Sequence, residues 1–121
     1  MDDEFFNPFG GEQEPQCVKL DALSKNGWKN KGGTSDRECP ICGSWKTHWE
    51  RISGKKFGKC LKEGCPNRAE VGAHIFRPSD GQKEWIVPFC KECNNPSNTG
   101  LFNLEVVTIL VSAVKCRYVS N

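Results

Sequence analysis

The chain has 121 residues, enough for one folded domain and too few for a second substantial core. Apolar content is ordinary for a globular protein, which excludes wholesale disorder, but Leu, Ile, Val and Phe together number only 26, close to the lower limit for autonomous folding. The net charge of +2 conceals strong segregation: residues 1–16 carry five acids and no Lys or Arg, whereas residues 44–68 carry seven basic residues against Glu50 and Glu63. No apolar run approaches the roughly 20 residues of a spanning helix, and the acidic start lacks the basic flank and apolar stretch of a secretory signal, so a soluble, intracellular protein is expected.

Residues 1–16, with Pro8, Pro15, Gly10-Gly11 and the aromatics Phe5, Phe6 and Phe9, read as an acidic flexible tail able to dock on a protein partner, followed by a single domain over 17–121. A short helix is predicted over Val18 to Ser24, stopped by Asn26-Gly27. Lys31 to Ser35 reads as loop. Trp49 to Ile52 and Lys56 to Cys60, flanking Ser53-Gly54, read as a small hairpin. Glu70 to Phe76 and Glu84 to Val87 form a second predicted pair, joined through Pro78 to Gly81. Between Leu101 and Val114, the β-branched Val106, Val107, Thr108, Ile109 and Val111 favour strand, although the same apolar residues fit a helical face.

Eight cysteines supply what the thin core lacks. Cys39-Pro40-Ile41-Cys42-Gly43 has zinc-knuckle form, because two thiolates separated by two residues can grip one tetrahedral ion while the glycine closes the turn. Cys90-Lys91-Glu92-Cys93 repeats the spacing, and a reduced compartment favours metal over disulfides for such pairs. Cys60 and Cys65 form a third pair, with Gly64 easing the turn. The matched spacing favours Cys39 and Cys42 with Cys90 and Cys93. Alternatively, Cys60 and Cys65 join Cys90 and Cys93, leaving the first knuckle to recruit His48, and six thiolates with one or two histidines would serve two ions. Cys17 and Cys116 lack paired spacing and read as non-ligand thiols. A structural Zn2+ contributes on the order of 10 kcal/mol in small peptides, which would offset the thin core.

The segment Ala73-His74-Ile75, Pro78, Ser79-Asp80-Gly81, Trp85-Ile86-Val87-Pro88 and Cys90-Lys91-Glu92-Cys93-Asn94 resembles the HNH endonuclease pattern. It is also similar to uncharacterised bacterial and phage zinc proteins. The resemblance covers residues 73–94 and the upstream cysteine pairs. It implies an α+β fold, a zinc-stabilised treble-clef or ββα-metal finger with short hairpins. It further implies His74 as general base and Asn94 as a ligand available to Mg2+ or Mn2+. Ala73 stands where a metal ligand is expected, and a methyl group cannot bind magnesium, so nuclease activity is expected to be weak or lost.

Lys46, Arg51, Lys55, Lys56, Lys59, Lys62 and Arg68 are interleaved with Trp45, Trp49 and Phe57, the combination that neutralises phosphates and stacks on bases in DNA or RNA. The expected function is nucleic-acid association. A zinc-stabilised protein-interaction module, an inhibitor or adaptor, is the reading from another class.

Overall fold

The computed structural model describes residues 17–19, 25–31, 39–81 and 83–114. The acidic segment 1–16 expected as a tail lies outside them, as do residues 20–24 and Cys116. Among the described residues, five strands, β1 (Cys17–Lys19), β2 (Lys29–Asn30), β3 (Val71–Phe76), β4 (Glu84–Phe89) and β5 (Ile109–Ser112), accompany one α-helix, α1 (Trp45–Ser53). The strands form one sheet in the order β1-β5-β4-β3-β2, antiparallel throughout. The mixture of helix and antiparallel sheet agrees with the α+β expectation.

The predicted second hairpin is present. β3 and β4 pair in register from Val71↔Phe89 to Phe76↔Glu84, and the connection contains one 3-10 turn, Pro78–Asp80, ending at Gly81 with φ +88°. Side chains of successive strand residues leave the sheet on opposite faces. On one face Ala73, Ile75, Val87, Phe89 and Leu110 pack with Trp28, Leu104, Cys60 and Cys90. On the other, Ile86 and Val111 pack with Trp45, Trp49 and Cys39.

The first predicted hairpin is replaced by α1. Trp45, His48, Trp49 and Ile52 recur at intervals of three and four, which is one face of a helix, and the first three are buried. The Ser44 hydroxyl oxygen accepts the Thr47 backbone N–H at 3.0 Å, an N-cap that accounts for the start. Gly54, at φ +76°, donates its N–H to the Glu50 carbonyl at 3.0 Å, so Ser53-Gly54 is a helix stop rather than a hairpin turn. Lys56 to Cys60 is not a strand; Lys59 makes an isolated bridge to Arg68.

Val18 was expected in a helix but lies in β1, paired with Leu110 of β5. Three residues carry little intrinsic preference, and pairing with a sheet edge decides them. The predicted strand over Leu101 to Val114 shortens to Ile109–Ser112, because the Thr108 hydroxyl and N–H both donate to the Glu105 carbonyl, at 2.6 and 3.0 Å. That turn leaves Val106 and Val107 exposed.

The order of elements differs from the ββα arrangement that the HNH resemblance implies. α1 precedes the β3–β4 hairpin, and the described residues between β4 and β5 hold turns and isolated bridges without a helix. α1 lies close on the sheet: a Cβ built on Gly72 of β3 would stand 2.6 Å from the Trp45 carbonyl carbon, so glycine is required there.

Candidate metal centre

The structure brings Cys60 and Cys65, not Cys39 and Cys42, to Cys90 and Cys93; all four sulfurs lie within 4.8 Å of one another. Cys65 Sγ is 3.9 Å from Cys90 Sγ and 3.7 Å from Cys93 Sγ. Two sulfurs on a tetrahedral zinc with bonds of about 2.3 Å stand about 3.8 Å apart. The grouping is therefore of a size to hold a metal ion.

Backbone bonds between distant segments set this pairing. The Leu61 N–H donates to the Pro88 carbonyl and the Cys60 N–H to that of Asn67, both at 2.9 Å, which lays the 60–67 loop beside the end of β4. The Cys93 N–H points to Cys90 Sγ at 3.4 Å, and the Asn67 side-chain amide reaches the same sulfur at 3.6 Å while donating to Glu92 at 3.0 Å. Asn30 of β2 donates to the Cys93 carbonyl at 3.1 Å. Asn67 and Asn30 were not legible as supports of this site, since neither belongs to a cysteine motif.

These surroundings split the thiols. Burial raises Cys90, but the Cys93 N–H, the Asn67 amide and the Cys93 and Cys65 thiols outweigh it and bring the group down to about 7. Burial pushes Cys60 up against hydrogen bonds from the backbone of Lys62 and Cys90. Cys93 is pushed up by burial first, then by Cys90 and by the charge of Cys60. Crowded thiolates repel one another without a cation, and a bound divalent ion removes that penalty.

Cys39 and Cys42 lie with His48, their two sulfurs and a ring nitrogen also within 4.8 Å of one another. Cys39 and His48 are fully buried on the α1 face of the sheet, and Cys42 is half-buried.

No family model, curated protein or solved structure matches this chain. The geometry therefore carries the functional argument.

His74 is enclosed, at 4% exposure. Its Nδ1 lies 3.1 Å from Glu84 Oε1, and the Trp45 ring meets its edge with centroids 4.7 Å apart. Glu84 was not singled out in the sequence. Ala73 is fully buried among Ile75, Val87 and Phe89 on the sheet face opposite α1. Asn94 belongs to the turn carrying Cys93, its N–H donating to the Cys90 carbonyl at 3.1 Å.

The basic residues divide between two regions. Lys46 and Arg51 are exposed on α1, and Lys55 and Lys56 are exposed in the loop after it, with Lys46 Nζ 5.4 Å from the Phe57 ring centroid. Lys59 is bound to Glu105 at 3.1 Å, Lys62 lies over Phe102 at 5.9 Å, and Arg68 is exposed beside Lys59. Trp45 and Trp49 pack in the core, with Phe57 edge-on to Trp49 at 5.4 Å. Among the described residues, no helix is long and apolar enough to cross a membrane.

Proposed function

We propose that this protein is a zinc-stabilised, intracellular nucleic-acid-binding protein, a degenerate relative of the HNH endonucleases in which hydrolysis is weak or lost. The observation that carries the reading is the set of exposed cations on α1 and the loop after it, Lys46, Lys55 and Lys56, with Lys46 over the ring of the half-buried Phe57. Ammonium groups on long stems, Lys46 in the first turn of α1 and Lys55 and Lys56 just past its last, suit phosphates of a DNA or RNA strand, and Glu50 lies 3.9 Å from Lys56.

The resemblance to HNH proteins is supported by the β3–β4 hairpin running into Cys90, Cys93 and Asn94, with four cysteines clasping its base. Four thiolates with no carboxylate or water position among them suit zinc in a closed, structural role. A treble-clef ancestry of this hairpin and its cysteine pairs belongs to the same proposal. The chemistry of an HNH site is poorly served. A general base must meet the water it activates, whereas His74 is covered by Trp45 and held by Glu84. The methyl of Ala73 lies in the core, where it offers no place for Mg2+ or Mn2+.

Binding to a labelled single-stranded oligonucleotide across a salt series tests the reading. Neutralising three phosphates predicts a slope of log affinity against log salt of about −2, and charge reversal at Lys46, Lys55 and Lys56 flattens it without unfolding the protein. Absence of binding to DNA and RNA at low ionic strength would refute it, and would favour the protein-interaction module, with the acidic aromatic segment 1–16 as its docking peptide.

A further inference from the structure

We propose that Cys39, Cys42 and His48 hold a second zinc ion, in a site distinct from the four-cysteine centre and on the other face of the sheet. Cys42 Sγ and His48 Nδ1 stand 3.8 Å apart, within a few tenths of an ångström of the about 3.5 Å that separates a sulfur and a nitrogen sharing one tetrahedral zinc. The orientation of the ring is fixed from behind. His48 Nε2 lies 3.0 Å from the Ser112 backbone carbonyl, which can only accept, so Nε2 carries the proton and Nδ1 presents its lone pair toward the cysteines. A carbonyl accepting from the remote nitrogen of a histidine is the support that metal-ligating imidazoles ordinarily have. Trp45 stands edge-on to the same ring at 4.9 Å between centroids, which holds its plane.

The cysteines are presented in the same way. Gly43, at φ +86°, donates its N–H to the Cys39 carbonyl at 2.8 Å and closes the knuckle, and Ser44 immediately starts the helix that delivers His48 one turn later. Arg51, one turn further along α1, directs Nη1 at Cys42 Sγ from 3.8 Å, a contact that holds the sulfur toward the helix. Two soft sulfurs and an imidazole select zinc over magnesium or calcium. The set counts three among the described residues. A tetrahedral site takes a fourth donor. Where a chain supplies three donors, water can complete the tetrahedron.

The inference stands apart from the nucleic-acid reading. Its test is metal content together with the spectrum of the cadmium-113 or cobalt form of the whole protein. Wild type is expected to bind two ions per chain with two signatures, one of four sulfurs and one of sulfur with nitrogen. His48→Ala and Cys42→Ser are each expected to halve the stoichiometry and remove only the mixed signature, while Cys60→Ser removes the other. The wild-type spectrum needs no variant to fold: a single ion at saturating zinc, or two ions both in sulfur-only environments, overturns the proposal. Retention of two ions by His48→Ala also overturns it.

Discussion

Gly72→Ala tests how closely α1 is seated on the sheet. The added Cβ would stand 2.6 Å from the Trp45 carbonyl carbon and 2.8 Å from both its Cβ and its carbonyl oxygen. Ordinary carbon contacts begin at about 3.5 Å, so the helix or β3 must yield by close to ~1 Å. The obstructing atoms are mostly helix backbone, which cannot swing aside as a side-chain tip can. Overpacking of this kind costs about 1–3 kcal/mol, and the obstruction by backbone puts this site toward the upper end. Loss of glycine freedom in the unfolded chain offsets about 0.4–1 kcal/mol. A net destabilisation of about 2 kcal/mol corresponds to a Tm lower by roughly 6–10 °C for a domain of this size. Gly58→Ala is the control, since nothing lies within 4 Å of the position its new methyl would take and its φ is not positive; it is expected to be neutral or slightly stabilising. Thermal melts of both variants at saturating zinc, followed by tryptophan fluorescence, check the expectation. A Gly72→Ala protein melting within about 2 °C of the parent would refute the close approach of helix and strand.

Ala73→Asp is expected to destabilise the fold by at least about 3 kcal/mol rather than to build a divalent-metal site beside His74, because it buries a carboxylate among Ile75, Val87 and Phe89; denaturant titration with and without magnesium reads both outcomes. Ser44→Ala removes the cap accepted from Thr47 and is expected to cost about 1 kcal/mol in the same titration, whereas Ser53→Ala at the other end of α1 is expected to cost less. Zinc affinity of the four-cysteine site is expected to rise with pH, since Cys60 and Cys93, both pushed up, must release protons to bind. Below about pH 7 Cys90 adds its own proton, so the dependence steepens on the acid side; chelator competition from about pH 6 to about pH 8 measures it, and a flat profile refutes it.

The parts legible in the sequence were those fixed by near neighbours. Val71 to Phe76 and Glu84 to Phe89 face each other across a short connection, so β propensity and turn chemistry were sufficient to find the hairpin. The three cysteine pairs were legible for the same reason. Their partnership was not, because it depends on the Leu61 N–H meeting the Pro88 carbonyl, a contact between segments 27 residues apart that no spacing rule contains. α1 offered a readable signal in Ser44, the Trp45-His48-Trp49-Ile52 stripe and Gly54, but a stretch bounded by glycine and dense in aromatics also fits a hairpin. Glu84 and Ser112 became meaningful only once strand pairing set them beside His74 and His48.

The clasp at the base of the β3–β4 hairpin also bears on the order of events during synthesis. Its last cysteine is Cys93, ahead of β5 in the chain, so a growing polypeptide holds all four thiols before Ile109 to Ser112 has been made. A cation captured then would tie Cys65 to Cys90 and close a loop of 25 residues, a constraint comparable to a cross-link worth about 3.5 kcal/mol of chain entropy. β5 would arrive last, adding itself to β4 at one flank and accepting β1 at its other. The earliest and latest residues of the sheet would thus meet only after its middle had been tied.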